Sequence, residues 1–101
     1  MDFKSERTVQ IMKLNDYRDE VEIFLKKIDN FQKNSNQKVY WLEKELSLLK
    51  KAVENSDECN ISHQIYDMMY LLFELAADYR CDLDKEWKRG NKKKQEKYLK
   101  K

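Results

Sequence analysis

The chain has almost none of the residues that interrupt regular structure: its 101 residues include one glycine and no proline. Strands joined by tight turns usually depend on these two residue types, so their scarcity argues against a β-rich fold. No apolar run approaches the ~20 residues that a membrane-spanning helix needs, and the first residues have no signal-peptide core. We therefore expect long helices joined by short polar loops, in a cytoplasmic protein that does not enter a membrane.

Cysteine is scarce as well, since only Cys59 and Cys81 are present. If residues 60–80 form one helix, these two residues lie about 33 Å apart at the helical rise per residue. A disulfide joins Cα atoms only ~4.4–6.8 Å apart, so an intramolecular bridge is excluded under this interpretation. We expect two free thiols, which is typical of a reducing compartment.

What the chain does have is a mixture of large apolar and charged side chains. Apolar residues make up 41%, aromatic residues 12% and charged residues 40% of the sequence. This apolar content is too high for a disordered chain, and the length allows at most one domain with a modest core. We predict an N-terminal arm over 1–13 and a single helical domain over 14–101.

Apolar residues recur at helical spacing in four segments. Asn15 is a good N-cap for the first segment, and Asp82 or Asp84 can cap the fourth. The third segment is apolar almost all round, as in a helix at the centre of a bundle or at a subunit interface. Its connection to the fourth is very short, which predicts that these two helices are antiparallel neighbours. The predicted helices span about 15–31, 38–54, 60–80 and 83–99, and the second carries a 3-4-3-4 repeat of Val39, Leu42, Leu46, Leu49 and Val53.

Charge is distributed unevenly along the chain. Residues 85–101 contain nine Lys or Arg and two Glu, a net charge of +7, whereas the other 84 residues carry −5. This asymmetry favours an anionic partner at the C-terminal end. A solvated terminal helix with no partner would show the same run of lysines. The cluster is local, and Trp87 and Tyr98 are the only aromatic residues in it, so a nucleic-acid partner is not expected.

Two acidic residues stand out because they lie beside apolar stripes. Glu45 is one position from the core line of the second helix, and Asp67 lies within the most apolar stretch of the chain. A buried aspartate needs a cation, a hydrogen-bonding partner or a proton. A site between two facing helices would supply oxygen ligands of the kind that Mg²⁺ or Mn²⁺ prefers. A core aspartate paired with a lysine, tyrosine or histidine is the alternative, and the spacing leaves both open.

Three segments together resemble a known family. Residues 61–98 contain a Gln64-x-x-Asp67 element, an apolar helix, an Asp-Leu-Asp turn and a basic helix that ends at Lys97-Tyr98. Residues 14–21 are similar to an opening helix, and residues 42–53 fall where a Glu-Glu-x-x-Glu helix is expected. Over about residues 14–98 the chain thus resembles the MazG-like nucleotide pyrophosphohydrolases. The resemblance implies a four-helix bundle of the all-α NTP pyrophosphohydrolase type, completed by oligomerisation as a homodimer or homotetramer.

The resemblance also implies a degraded metal site. Family members hold Mg²⁺ with Glu-x-x-Glu on one helix and Glu-x-x-Asp on the next, and the metal orients a triphosphate for attack by water. The matching positions here are Glu45 and Leu48, then Gln64 and Asp67, with Lys44 in place of a further acid. Leucine cannot ligate a metal, and glutamine offers only a neutral oxygen. Glu45 and Asp67 are therefore the expected metal ligands if a Mg²⁺ ion is retained. The first expectation, however, is a protein without a cofactor.

This loss of negative charge favours binding over hydrolysis. We predict a non-hydrolytic protein that sequesters or senses a nucleotide or phosphorylated small molecule. A Mg²⁺-dependent pyrophosphohydrolase of low activity is the first alternative, and a structural or protein-binding bundle is the second. The composition also suits a bacteriophage or an AT-rich bacterium. No catalytic residue is assigned, and the predicted ligand-binding residues are Lys44, Glu45, Lys51, Gln64, Asp67, Lys94 and Tyr98.

Overall fold

A computed structural model of the chain describes residues 11–28 and 34–99. Within these ranges all regular structure is α-helical, which confirms the predicted all-α class. Most of the predicted N-terminal arm lies outside the described residues, and so does Phe31 at the predicted end of the first helix. The four helices are α1 (Leu14–Lys27), α2 (Ser35–Glu54), α3 (Glu58–Asp78) and α4 (Leu83–Leu99).

The scarcity of glycine is visible where α2 and α3 end. Each helix closes with a residue in the left-handed region, Ser56 with φ 52° and Arg80 with φ 56°. After α2, the Ser56 and Asp57 amides donate to the carbonyls of Val53 and Ala52 at 3.1 and 2.9 Å. This is the Schellman arrangement, which usually places glycine at the left-handed position. Ser56 and Arg80 thus have side chains in a backbone conformation that favours glycine, and the single glycine of the chain lies within α4.

Side-chain caps explain why α2 begins earlier than the apolar pattern predicts. The Asn34 side chain accepts hydrogen bonds from the amides of Asn36 and Gln37. These bonds satisfy donors that the first turn of a helix leaves free, so α2 starts at Ser35 within a segment whose composition is typical of a loop. Asp57 caps α3 in the same way by accepting from the Asn60 amide at 3.2 Å.

The helical bundle is built around α3. α2 and α3 form an antiparallel hairpin, and α1 packs against α3. The buried apolar side chains within the described residues are few and mostly small: Val21, Leu25, Ala52, Ala76 and Ala77. Such a core supplies only modest hydrophobic stabilisation for a chain of this length.

The face that α2 presents to α3 differs from the predicted one. Of the predicted repeat, Val39, Leu46 and Val53 are 43%, 48% and 56% exposed. The stripe is rotated because Lys38 and Glu45 of α2 take positions against α3, where Lys38 pairs with Asp78 and Glu74. The covered residues of α2 follow a 4-3-4-3 spacing: Lys38, Leu42, Glu45, Leu49 and Ala52.

α4 is fastened to α1 by an exchange of caps, the α1–α4 clasp. Asp84 of α4 accepts hydrogen bonds from the backbone amides of Leu14 at 3.0 Å and Asn15 at 3.4 Å. In return, the Asn15 side-chain oxygen accepts from the amide of Leu83 at 2.8 Å. The sequence predicted that Asn15 caps its own helix, α1. In the structure it caps the neighbouring helix, α4. Each helix supplies the acceptor that the other helix start lacks.

The arrangement of α4 corrects a second prediction. Asp82 caps α4 by accepting from the Lys85 amide at 3.1 Å, as one of the two predicted candidates. The Asn15 side-chain amide also donates to Asp82 Oδ1 at 3.0 Å, and this bond together with the one from Lys85 holds the pKa of the Asp82 carboxyl below its usual range. The contacts of α4 are mainly with α1, however, so it is not the antiparallel neighbour of α3. Two helices joined by a short loop can diverge when caps on a third helix fix the direction of the second.

Candidate functional site

The interface of α2 with α3 is unusually polar. On the side of α3 that faces α2, the partly or fully buried residues have the 3-4-3-4 spacing of one helix face. They are Gln64, Asp67, Leu71, Glu74 and Asp78. We call this interface the polar seam, and its polar members are Lys38 and Glu45 on α2, and Gln64, Asp67, Glu74 and Asp78 on α3. Buried charges are costly unless they are paired, so each end of the polar seam needs its own explanation.

One end of the polar seam is an ion-pair network, in which Asp78 Oδ1 is buried without a hydrogen-bond partner. Lys38 is 0% exposed, and its Nζ lies 2.8 Å from Asp78 Oδ2 and 3.8 Å from Glu74 Oε1. The Ser35 hydroxyl also donates to Asp78 Oδ2 at 3.3 Å. Burial raises the pKa of the Glu74 carboxyl, and the Asp78 charge adds to that shift while Lys38 opposes it. This end pairs its charges internally and joins the start of α2 to the end of α3.

The other end of the polar seam opens into an acidic cleft of about 590 Å³. Glu45 of α2 and Asp67 of α3 lie on its walls, so the structure brings together the two acids that the sequence analysis selected. The remaining walls are four aromatic rings and one leucine, with no lysine or arginine among them. The lining residues are Phe24, Trp41, Glu45, Tyr66, Asp67, Tyr70 and Leu71.

The carboxylates of the acidic cleft differ in how they are satisfied. Glu45 Oε1 is buried and has no hydrogen-bond partner. Asp67 Oδ2 lies 3.2 Å from Nε2 of His63, one turn earlier on α3. A buried acceptor without a donor costs free energy, because its lost hydration is not replaced. Glu45 therefore has the capacity to accept a hydrogen bond or bind a cation that this chain does not itself supply.

The aromatic walls provide flat, accessible surfaces. Trp41 is 37% and Tyr66 is 59% exposed, although both line the acidic cleft. The rings of Tyr66 and Tyr70 lie 5.9 Å apart and tilted by 51°. Burial raises the pKa of the Tyr70 hydroxyl, with further contributions from Tyr66, Glu74 and Glu20. Tyr70 thus stays neutral at pH 7 and is available as a hydrogen-bonding group.

The remaining predicted ligand-binding residues lie elsewhere. Lys44 is exposed, and its Nζ lies 5.2 Å from the centre of the Tyr40 ring rather than in the acidic cleft. Lys51 is exposed near the end of α2, and Tyr98 is 70% exposed on α4. Lys94 lines a separate depression on α4 beside Trp87 and Gly90. Gln64 lies one turn before Asp67 with its Oε1 buried and unpartnered, but it does not line the acidic cleft.

The donor set does not fit a pair of magnesium ions. Leu48 is 48% exposed and carries no ligand atom, and only Glu45 and Asp67 contribute carboxylates to the acidic cleft. In the part of the chain that the structure describes, no three His, Cys, Asp or Glu side chains are grouped as a metal site. Sites that hold Mg²⁺ for phosphate chemistry rely on carboxylates whose charge the ion neutralises. The acidic cleft thus offers two carboxylates, one of which has an unpartnered oxygen, in place of the four acids that the family motif implies.

The apolar periodicity did not predict most of the aromatic residues that line the acidic cleft, nor the ion-pair network of Lys38. Trp41, Tyr66 and Tyr70 do not follow the apolar stripes of their helices, and Lys38 resembles an ordinary first-turn residue. The available signal was the spacing from Lys38 through Glu45 to Ala52, which places charged residues on one helix face with small or apolar ones. Both cysteines are exposed and unpaired, as predicted.

No described helix is both long and apolar enough to span a bilayer. Comparison of the chain with family models, curated proteins and solved structures finds no match in any of the three. The acidic cleft and its chemistry are therefore the basis on which a function can be argued.

Proposed function

We propose that this protein binds a nucleotide without hydrolysing it, on a scaffold of the MazG-like type. The observation that carries the proposal is the acidic cleft, where Glu45 and Asp67 lie among four aromatic side chains. Aromatic surfaces stack on nucleobases with a gain of about 1–3 kcal/mol per base. Polar groups at the edge of such a pocket then fix the orientation of the base.

Binding without hydrolysis is favoured by the composition of the acidic cleft. Cleavage between phosphates needs positive charge or metal ions where negative charge develops on the transferred group. The lining residues include no lysine or arginine, and the two carboxylates repel an unshielded triphosphate. The phosphates of a bound nucleotide would then point out of the acidic cleft towards solvent, where exposed lysines of α2 contribute a favourable field.

The first alternative is a pyrophosphohydrolase of low activity that uses one Mg²⁺ ion. The observation in its favour is that Glu45 and Asp67 line the same cleft and that Glu45 Oε1 has no partner. The second alternative is a structural or protein-binding bundle, which the many exposed apolar side chains favour.

We also propose that the protein assembles as a homodimer or homotetramer. Large apolar side chains of the described helices are about half exposed, among them Leu46, Val53, Ile65 and Leu72. An interface of standard size covers about 800 Å² per partner, and contacts between copies of the chain would cover such side chains.

Thermal unfolding with a nucleotide panel tests the proposed function. In EDTA, a nucleotide present at a hundredfold its Kd should add about 2.7 kcal/mol of stability and raise Tm by on the order of 10 °C. The same nucleotide should be recovered intact after incubation with Mg²⁺ or Mn²⁺. Pyrophosphate release with either metal would establish the first alternative. No shift with any nucleotide would overturn the proposal and leave the second alternative.

A further inference from the structure

We propose that the acidic cleft recognises the N–H edge of a guanine base, and that Glu45 is the residue that accepts from it. This inference rests on the proposed nucleotide-binding function and assigns the end of the nucleotide that enters the acidic cleft. The hydrogen-bonding groups of the acidic cleft determine which end of the nucleotide fits. An ionised carboxylate only accepts, and none of the lining residues carries a cationic group.

Phosphate is the wrong ligand for this set of groups. Phosphate oxygens are acceptors with negative charge, so Glu45 and Asp67 repel them, and the neutral hydroxyl and indole donors of the lining bring no positive charge to offset that repulsion. Glu45 Oε1 is buried as well as unpartnered, so a ligand engages it once the side chain turns its carboxylate into the acidic cleft, and the ligand must then present an N–H group or a positive charge. Nucleobases have N–H groups, and their flat faces match the accessible rings of Trp41 and Tyr66.

Among the bases, guanine presents the matching edge. Its ring N1–H and its 2-amino group are adjacent donors that point in the same direction, which suits the two oxygens of one carboxylate. Adenine places a ring acceptor beside its amino group, cytosine does the same, and uracil flanks its single N–H with two carbonyl oxygens. Each of these three would bring an acceptor close to Glu45 and leave it poorly satisfied.

Asp67 has a different part in this arrangement. Its Oδ2 is already engaged by His63 at 3.2 Å, whereas Glu45 Oε1 has no partner. The two carboxylates are thus not equivalent, and the unsatisfied one is the recognition group. Tyr66 and Tyr70, which line both the acidic cleft and the adjoining cavity between α1 and α3, hold the wall on which the base stacks.

The test is calorimetric titration of the full chain in EDTA with GMP, IMP and AMP, which carry the same phosphate. GMP should bind best, because a hydrogen bond to a charged group is worth a factor of roughly 10–100 in affinity. IMP, which lacks the 2-amino group, should bind about tenfold more weakly, and AMP more weakly again. Glu45→Gln should reduce GMP affinity at least tenfold and remove most of the preference over AMP.

Two controls separate recognition from folding. Glu43→Gln changes an exposed carboxylate of the same helix and should leave GMP affinity unchanged. Unliganded Glu45→Gln should melt at or above the wild-type temperature, because the substitution removes a buried charge that has no partner. In a Trp87→Phe background, Trp41 is the one remaining tryptophan, and GMP should quench its fluorescence if the base stacks there.

The outcomes distinguish this inference from the function on which it rests. Equal affinity for GMP and AMP, or GMP affinity unaffected by Glu45→Gln, would overturn guanine recognition and leave nucleotide binding intact. Failure of all three nucleotides to bind would remove both. Titration with MgCl₂ alone is the last arm: Mg²⁺ binding that Glu45→Gln abolishes, with no GMP binding in EDTA, would show that the acidic cleft takes a cation instead.

Discussion

Single residues in the polar seam have opposite relations to stability. Lys38 is completely buried, yet it has two acidic neighbours that compensate its lost hydration. Glu45 Oε1 is a buried acceptor that none of the described residues satisfies. A paired buried charge is part of the folded structure, whereas an unpaired one is a cost that only a ligand removes. The same interface thus contains a structural group and a recognition group.

Replacement of Lys38 tests the structural half. Lys38→Met keeps the length of the side chain but leaves Asp78 and Glu74 buried without their cation, so unfolding free energy should fall by about 3–5 kcal/mol. Urea titration followed by circular dichroism measures this loss. Lys50→Met, an exposed lysine of the same helix, is the matched control and should change stability by less than about 0.5 kcal/mol.

A second variant keeps this prediction testable if Lys38→Met does not fold. Asp78→Asn added to Lys38→Met removes one of the two uncompensated charges and should recover part of the loss. If Lys38→Met is no more destabilised than Lys50→Met, the lysine is not held in the network that the structure describes.

At the scale of helices, sequence reasoning succeeded where local pattern decides and failed where partners decide. The fourth helix begins and ends as its apolar residues and Asp82 predict, because those signals lie in or next to the helix in the sequence. The buried face of α2 was misassigned, because Val39 and Leu46 are more apolar than Lys38 and Glu45. The identity of a facing residue such as Asp78, 40 positions away, is not contained in the periodicity of α2.

The candidate site divides in the same way. Glu45 and Asp67 could be selected because acids beside apolar stripes are unusual. Trp41 and Tyr66 could not, since an aromatic residue outside a stripe becomes a wall only when another helix is placed opposite it. The lysines selected for phosphate lie outside the acidic cleft, because the charge of a residue does not determine the direction of its side chain.

The α1–α4 clasp gives a prediction at the scale of elements. Asp84→Ala removes the acceptor of the Leu14 and Asn15 amides, so it should cost about 1–2 kcal/mol and speed hydrogen exchange at those two amides. Asn15→Ala should act on the first turn of α4 instead, through loss of the Leu83 contact. The control is Glu86→Ala, which changes an exposed α4 residue outside the clasp.

The two caps should also be coupled, because each holds the geometry of the other. A double-mutant cycle of Asn15→Ala and Asp84→Ala should give an interaction free energy of about 0.5–1 kcal/mol. Simple additivity, or unchanged exchange at Leu14 in Asp84→Ala, would mean that α4 is held by other contacts.

At the scale of the whole molecule, the small core and the large apolar surface belong to one argument. The buried apolar side chains of the described residues include three alanines, while Leu46, Val53, Ile65 and Leu72 are each 45–56% exposed. A monomeric fold would bury such residues to offset the entropy of ordering its chain. The polar seam adds little hydrophobic stabilisation, so the remaining apolar faces are the largest reserve that the chain has.

Self-association is therefore the last prediction, and it concerns the exposed stripe of α2. Light scattering after size exclusion should give a mass of two or four chains at micromolar concentration. Leu46→Lys with Val53→Lys places two charges on that stripe and should shift the mass to that of one chain, with lower thermal stability. Ser47→Lys with Glu54→Lys adds charge one position along the same helix and should leave assembly intact. A wild-type protein that stays monomeric and stable would show that this small core suffices on its own, and the apolar stripe would then need another partner.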